Sequence, residues 1–322
     1  MNSFRRPAAA MCALGLGGLV AAGPAFADDI NLGDSAPTAI TGLAWDEGAG
    51  EVILTDDKGS ITAWSTSGDD ERDVTFSGSV ESVQALSMFD GMLYIGDIGD
   101  EAAARDFVTV FRVGPQEGTT NYRAWDFSYP EGPQDAKALA VSGKGRVYVV
   151  TGGDDPGIYR AGLNPSRTDV NELVRSADAP QGVTDAVFLD DGSTLMLRTA
   201  TGVDLVDAFT WEVTASTTYV DAPADESITT FGERRMLVGG ASPLRDEPLP
   251  DGRTTATPVP TTSPSPSQSA DATDSPETTA TATAEPGSSQ TPTVSRRGTI
   301  LALVAAGVVA VLAGVAVFVV RR

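Results

Sequence analysis

Two aspartates three residues apart, each preceded by a glycine, stand in the stretch LYIGDIGDE at residues 93–101. They are Asp97 and Asp100, and Glu101 follows them. Ca²⁺ takes about six to eight oxygen ligands, many of them carboxylate, so the stretch is a candidate calcium loop. Its spacing is not that of an EF-hand, and glycines that allow positive φ are also typical of a turn after a strand. A cation site and a simple bend both remain open interpretations.

A second set of candidate residues shares a position, at or just before the start of an apolar strand. The set consists of Glu81, Asp135, Lys137, Asp185, Asp225 and Glu226. If these strands converge, their acidic side chains can bind a polar ligand or a divalent cation such as Ca²⁺. The alternative is that the acids are solvated and that Lys137 supplies a local counter-charge.

The composition narrows the chemistry that any of these residues can perform. The sequence contains no histidine, which excludes Ser-His-Asp catalysis and a zinc site with histidine ligands. Hydrolysis by a pair of carboxylates, or with Ca²⁺, stays open. Residues 28–250 carry 39 acidic and 15 basic side chains, a charge that repels polyanions, so we expect no nucleic-acid partner.

The elements that must position the candidates form a repeat. Each repeat has an apolar strand, a turn rich in glycine or aspartate, a second apolar strand and usually a third. The first strands begin at Ile40, Val83, Ala136, Val183 and Ile228. This spacing, about 43 to 53 residues, is typical of four-stranded propeller blades, and Asp90-Gly91 is a hairpin signal. The sequence predicts an all-β fold, a β-propeller of about five blades, with a β-sandwich as the alternative.

Closure of the ring needs a strand from elsewhere in the chain. The pattern predicts an incomplete last blade, because the sequence after Gly240 passes into ASPLRDEPLP, which shows no third strand. A propeller removes sheet edges by closing its ring. We therefore expect residues 28–32 to lie beside the last blade.

Part of the sequence also resembles a group of mostly uncharacterised secreted bacterial β-propeller proteins. Their pattern runs GDIGDN, then YPDGPxDAEAL, then a strand that ends in Thr-Lys. Asp97, Asp100, Asp135 and Ala136 match this pattern, whereas the pattern's asparagine, glutamate and lysine stand here as Glu101, Lys137 and Gly152. The resemblance covers about 70 residues and implies a secreted propeller of actinobacterial origin.

The two ends of the sequence predict a surface protein. Residues 1–27 have the basic, apolar and Ala-x-Ala regions of a signal peptide, and the only cysteine, Cys12, lies among them. Residues 28–242 are the expected propeller, and residues 243–297, rich in Thr, Ser and Pro, a disordered stalk. Residues 298–320 are apolar and long enough for a single transmembrane helix across a ~30 Å core, with residues 321–322 in the cytoplasm.

Together these features predict a single-pass protein of the cell membrane with an extracellular N-terminal propeller. We expect the propeller to be a non-enzymatic binding or interaction module for an envelope protein or a glycan. An extracellular, phosphoesterase-like hydrolase with a degenerate carboxylate or Ca²⁺ site is the alternative. No cofactor is firmly indicated, although Ca²⁺ remains open.

Overall fold

The computed structural model describes residues 29–256, which form a five-bladed β-propeller. The predicted signal peptide, the transmembrane segment and most of the predicted stalk lie outside these residues. None of the residues from 29 to 256 belongs to a helix that is long and apolar enough to cross a membrane. The all-β fold and the number of blades agree with the prediction from the repeat.

Each blade is an antiparallel sheet that begins at the axis of the ring. Blade 1 contains β1 (Ile40–Asp46), β2 (Glu51–Asp56), β3 (Ile61–Ser65) and β4 (Glu71–Asp73). Blade 2 contains β6 (Val83–Phe89), β7 (Met92–Asp97), β8 (Val108–Val113) and β10 (Tyr122–Ser128). Blade 3 contains β11 (Ala136–Val141), β12 (Val147–Thr151), β13 (Gly157–Arg160) and β15 (Val174–Asp178). Blade 4 contains β16 (Val183–Phe188), β17 (Thr194–Thr199), β18 (Gly202–Asp207) and β19 (Val213–Tyr219). Blade 5 contains β20 (Ser227–Thr230), β21 (Arg235–Gly239) and β22 (Arg245–Pro248).

Short parallel strands tie the outer parts of the blades together. Strand β14 (Asn171–Glu172) pairs with β10, β23 (Arg253–Ala256) pairs with β19, and β5 (Thr75–Phe76) pairs with β9 (Thr119–Thr120). These pairings cover backbone groups at the edges of blades 2 and 4, which would otherwise be open for association with another strand.

The hydrophobic core consists of five clusters, each between two neighbouring blades. The first strands β1, β6, β11, β16 and β20 contact one another in that order, and β20 contacts β1. The ring is therefore closed. Its hairpins follow the predicted turn chemistry, since Asp90 and Gly91 both have positive φ, at 52° and 66°, as a tight two-residue turn requires.

The N-terminal segment lies beside the last blade, as the sequence predicted. The N–H of Ile30 donates to the carbonyl of Leu244 and the N–H of Leu244 to the carbonyl of Ile30, both at 2.8 Å. The side chains of Ile30 and Leu32 are buried in the cluster between blades 5 and 1. This isolated bridge holds the N-terminal segment against blade 5 at Leu244, the residue before β22.

The prediction that blade 5 lacks a third strand is corrected by β22. This strand pairs antiparallel with β21 from Val238–Arg245 to Arg235–Pro248. Strands β22 and β23 both lie beyond residue 242, where the sequence analysis placed the end of the propeller. Its sheets therefore continue to Ala256.

Candidate functional site: the pocket at the mouth of the ring

The candidate residues are positioned by an irregularity that four blades share. The first strand of blades 1 to 4 contains a β-bulge at its second residue, where the pairing with the next strand shifts. A bulge re-aims a side chain relative to the regular ladder. The four bulged residues are Thr41, Gln84, Lys137 and Thr184, and all four line one pocket at this end of the ring.

This pocket, which we call the mouth pocket, has a volume of about 930 Å³ and is lined mainly by glycine, alanine, serine and threonine. No aromatic side chain from residues 29–256 lines it. The next residue of each bulged strand is buried, namely Gly42, Ala85, Ala138 and Asp185. Space is tight there, because a Cβ on Gly42 would lie 2.9 Å from the Cα of Ala85. The pocket therefore has a floor.

Lys137 is held at the pocket by Asp135. Its Nζ lies 2.9 Å from Oδ2 of Asp135, and Oδ1 of the same carboxylate accepts a hydrogen bond from the N–H of Asp100 at 2.9 Å. A Cβ on Gly152 would lie 3.3 Å from Cγ of Lys137, so the glycine leaves room for the lysine stem. Lys137 and Gly152, two positions at which this sequence departs from the pattern of the secreted bacterial propellers, thus lie next to each other.

Glu226 belongs to the pocket wall and forms the centre of a buried ion cluster. Arg198 Nη2 lies 2.6 Å from Oε2 of Glu226, and Arg245 pairs with both carboxylate oxygens. Desolvation raises the pKa of Glu226, but the hydrogen bonds and charges of Arg245 and Arg198 outweigh it, so the net shift is downward. Glu226 is therefore ionised and fully engaged inside the protein.

The same cluster holds the loop that forms the pocket wall. All residues from 222 to 227 line the pocket. Arg198 Nη2 donates to the carbonyl of Pro223 at 2.9 Å, and the hydroxyl of Thr184 donates to the carbonyl of Glu226 at 2.6 Å. The wall is fixed by partly buried hydrogen bonds near both of its ends.

Tyr219 and Glu247 complete the cluster. The guanidinium groups of Arg198 and Arg245 lie 5.3 and 5.7 Å from the centre of the Tyr219 ring, within the range of a cation–π contact. The Tyr219 hydroxyl donates to Glu247 at 2.6 Å, and Arg245 Nε donates to Glu247 at 2.7 Å. Burial and the Glu247 charge raise the pKa of Tyr219, so its hydroxyl keeps the proton that it donates.

Asp225 precedes Glu226 and is exposed at the mouth pocket. Its φ is 56°, in the left-handed region that aspartate tolerates better than most residues. Its carbonyl packs on blade 5, since a Cβ on Gly240 would lie only 2.8 Å from that oxygen. The backbone that carries the exposed carboxylate is thereby fixed.

Asp185 is completely buried and has a structural position below the pocket. Its carboxylate accepts hydrogen bonds from the N–H of Ala186 at 2.8 Å and from the N–H of Ile228 at 3.0 Å. Desolvation raises the pKa of Asp185 well above its usual value, against the opposing effect of the N–H donors of Ile228, Ala186 and Leu43. The side chain joins the first strands of blades 4, 5 and 1.

The carboxylate of Asp97 binds Arg105 and the backbone of the preceding loop. It accepts hydrogen bonds from the N–H groups of Glu81 at 3.1 Å and Ser82 at 2.6 Å. Arg105 Nη2 lies 3.2 Å from Asp97 Oδ2. Glu81, whose side chain is 74% exposed, lies 3.7 Å from Arg105. Protein donors thus already surround the oxygens of Asp97.

Asp100 closes the loop that follows. Its carboxylate accepts hydrogen bonds from the N–H groups of Ala104 and Arg105, each at 2.9 Å. Glu101 is exposed and lines the mouth pocket. The LYIGDIGDE stretch is therefore a bend in which two buried carboxylates hold the loop and the third acid points outward.

The structure brings together only part of the predicted site. Glu101, Lys137, Asp225 and Glu226 line the mouth pocket. Asp135 borders it through Lys137, whereas Glu81, Asp97, Asp100 and Asp185 are absent from its lining. Within residues 29–256, no group of three or more Asp, Glu, His or Cys side chains is arranged to hold a metal ion.

Sequence reasoning missed Arg198 and Arg245. Arg198 is the only charged residue in the apolar strand TLMLRT, and it is 1% exposed. A charge at a core position requires a buried partner, which was the available signal. Arg245 follows a proline-containing stretch with no apolar alternation, so nothing local marked it.

No family model and no curated protein matches this sequence. Three solved structures show the range of structural similarity. A nidogen/laminin complex is 15% identical over 62% of this chain and 72% of that chain, with a TM-score of 0.43. A PQQ-bound aldose sugar dehydrogenase from Streptomyces coelicolor is 10% identical over 69% of this chain and 96% of that chain, with a TM-score of 0.41. The computationally designed Ika4 protein is 20% identical over 54% of this chain and 93% of that chain, with a TM-score of 0.32. Similarities this low give no basis for transferring a function.

Proposed function

We propose that this protein is a non-enzymatic binding module whose ligand site is the mouth pocket. The observation that carries the proposal is the convergence of the four bulged residues on one pocket with a buried floor. A concave site of a few hundred to about 1,000 Å³ with a small number of placed polar groups is the usual form of a ligand site.

The state of Glu226 and Asp135 supports a role of these two acids in shaping the pocket. An acid of a carboxylate hydrolase must be free to exchange protons with a substrate or to act as nucleophile. Glu226 is tied to two arginines, and Asp135 is tied to Lys137. Their charges are used to shape the pocket wall and to hold a cation at its rim.

We further propose that the propeller is displayed on the outside of the cell. The support is the sequence alone, namely the signal-like residues 1–27, the Thr/Ser/Pro-rich stretch and the apolar residues 298–320. The test is protease treatment of intact cells that make the full chain. Loss of the propeller's immunoblot signal without cell lysis is the expected result, and full protection would contradict surface display.

The pocket itself is tested by filling it. Ala224 is exposed and lines the pocket, so Ala224→Trp fills its space while leaving the core untouched. Ala49 is exposed in the turn between β1 and β2, at the opposite end of the ring, and Ala49→Trp is the matched control. We expect the wild-type full chain and the Ala49 variant to retain the same partner from cell-envelope extract, and the Ala224 variant to lose it. Retention by all three proteins would place the binding site elsewhere.

A further inference from the structure

The cations at the mouth pocket are already paired with acids of the protein. Lys137 pairs with Asp135 at 2.9 Å. Arg245 pairs with Glu226 and, at 2.7 Å, with Glu247. A negatively charged ligand would have to compete with these carboxylates for each cation.

Two acids at the pocket have no such partner. Glu101 and Asp225 both line it, and neither takes part in an ion pair among residues 29–256. They come from different parts of the ring, one from the loop between β7 and β8 and the other from the connection between blades 4 and 5. They therefore leave negative charge on two sides of one concave surface.

Each of these acids follows or precedes a buried carboxylate that fixes its loop. Glu101 follows Asp100, whose oxygens accept backbone N–H groups of Ala104 and Arg105. Asp225 precedes Glu226, which two arginines hold. Because the loops are fixed before a ligand arrives, less ordering entropy is lost when the exposed acids bind it.

The remaining lining determines what kind of molecule fits. The part of the chain that the structure describes contributes no aromatic side chain to the pocket, and therefore no flat apolar surface that stacks on a sugar ring or a base. Five glycines, Gly152, Gly153, Gly182, Gly239 and Gly240, contribute to its wall and leave backbone groups accessible beside the threonine and serine hydroxyls. Such a surface suits hydrogen bonding to a peptide backbone.

From these features we infer that the mouth pocket receives an extended basic segment of a partner protein, whose lysine or arginine side chains are directed to Glu101 and to Asp225. The inference rests on the proposed binding function and specifies its ligand. The excess of acidic over basic residues in the whole chain, 44 against 22, attracts such a segment from a distance, and the pocket acids then fix its position.

The test uses the purified full chain in detergent and three fluorescein-labelled peptides of equal length, built from glycine and serine with lysine, glutamate or no charged residue. Fluorescence anisotropy should show binding of the lysine peptide that weakens as salt is added. The Glu101→Gln/Asp225→Asn double variant should bind it at least about tenfold more weakly. Glu47→Gln/Asp190→Asn changes the charge equally at two exposed residues of the opposite end and should bind like the wild type.

Each other outcome has a defined meaning. Equal weakening in both double variants would show general attraction to an acidic protein and would overturn the inference. Displacement of the lysine peptide by spermine at equal charge concentration would assign the pocket to small polyamines and would also overturn it. If no peptide binds while the Ala224→Trp variant still loses the envelope partner, the ligand class is wrong and the proposed function stands. If the Ala224 variant retains that partner as well, both proposals fail.

Discussion

The carboxylate of Asp185 in blade 4 accepts a hydrogen bond at 3.0 Å from the backbone N–H of Ile228 in blade 5. This bond crosses the seam between the last two blades at the axis of the ring. The side chain is completely buried and also accepts from the N–H of Ala186. The Asp185 carboxylate therefore accepts hydrogen bonds from backbone N–H groups of two first strands, β16 and β20. The regular hydrogen bonds between neighbouring strands of a sheet do not reach these groups.

Asp185→Ala should lower the free energy of unfolding by about 2–4 kcal/mol, because it leaves at least two buried N–H groups without an acceptor. Urea denaturation followed by tryptophan fluorescence measures the change. Asp190→Ala, at an exposed residue, should shift stability by less than about 0.5 kcal/mol. Equal, small effects of the two substitutions would contradict the role of the Asp185 bond.

The buried carboxyl group of Asp185 should also make the free energy of unfolding depend on pH in a defined direction. Its folded pKa is raised by burial above the unfolded value of about 3.9, so the folded state binds the proton more tightly. The resulting stabilisation is fully present below about pH 4 and is lost as pH rises through the folded pKa. The unfolding free energy of the wild type, measured from pH 4 to 9, should therefore fall relative to that of Asp185→Asn as pH rises. A wild type that gains stability relative to Asp185→Asn over this range would contradict the raised pKa.

The Asp97–Arg105 pair should contribute measurably to stability. In a double-mutant cycle of Asp97→Ala and Arg105→Ala, we expect a coupling energy above about 1 kcal/mol, because Asp97 is 4% exposed and the pair lies at 3.2 Å. If Asp97 were a solvated residue of a simple bend, Asp97→Asn would lower the free energy of unfolding by less than about 1 kcal/mol. Because the carboxylate is buried and paired, we expect a larger loss.

Calcium provides the competing outcome for the same stretch. Because Arg105 already contacts Asp97, we expect millimolar calcium to leave the melting temperature unchanged. A rise of several degrees that disappears in Asp97→Asn would restore the calcium-loop interpretation.

Arg198→Met should destabilise the seam between blades 4 and 5 by about 3–5 kcal/mol, because it removes one partner of a buried ion pair and leaves the carbonyl of Pro223 without its donor. Arg167→Met is the control at an exposed arginine and should be nearly neutral. Thermal denaturation of both variants measures the difference. Equal melting temperatures would mean that the cluster contributes nothing net to folding.

A chain that ends after residue 241 should fail to fold cooperatively, whereas one that ends after residue 256 should fold. The shorter chain lacks β22 and the Leu244 partner of Ile30, so β21 is left as an open sheet edge and the N-terminal segment loses its pairing with the last blade. Circular dichroism melting curves distinguish the two chains. A cooperative transition in the shorter chain would show that the ring tolerates an open seam.

The sequence predicts the parts of this structure that depend on local pattern. Turns such as Asp90-Gly91 and the regular return of apolar strands follow from backbone preferences and alternation, which neighbouring residues determine. The starts of the first strands were predicted for the same reason, and Lys137, Asp225 and Glu226, which stand at or just before such starts, line the mouth pocket.

What escaped prediction depends on partners far apart in the chain. Strand β22 showed no apolar alternation because one of its buried positions is Asp246, which pairs with Arg235 at 2.5 Å. Glu226 was expected to be a free acid at the rim, but its two arginines stand at positions 198 and 245. Asp185 was expected at the mouth of the ring. A bulge at Thr184, which the sequence does not reveal, instead turns its side chain into the floor of the pocket.

The parallel pairing of β23 with β19 also has a mechanical consequence. Strand β23 runs from Arg253 to Ala256 alongside Ser216 to Tyr219, so it ends at the same end of the ring as the mouth pocket. A force applied at Ala256 along the strand axis would load the hydrogen bonds of this pairing in shear, all at once. Peeling would break them one at a time at lower force, so the outer edge of blade 4 acts as a clamp for a load on the chain.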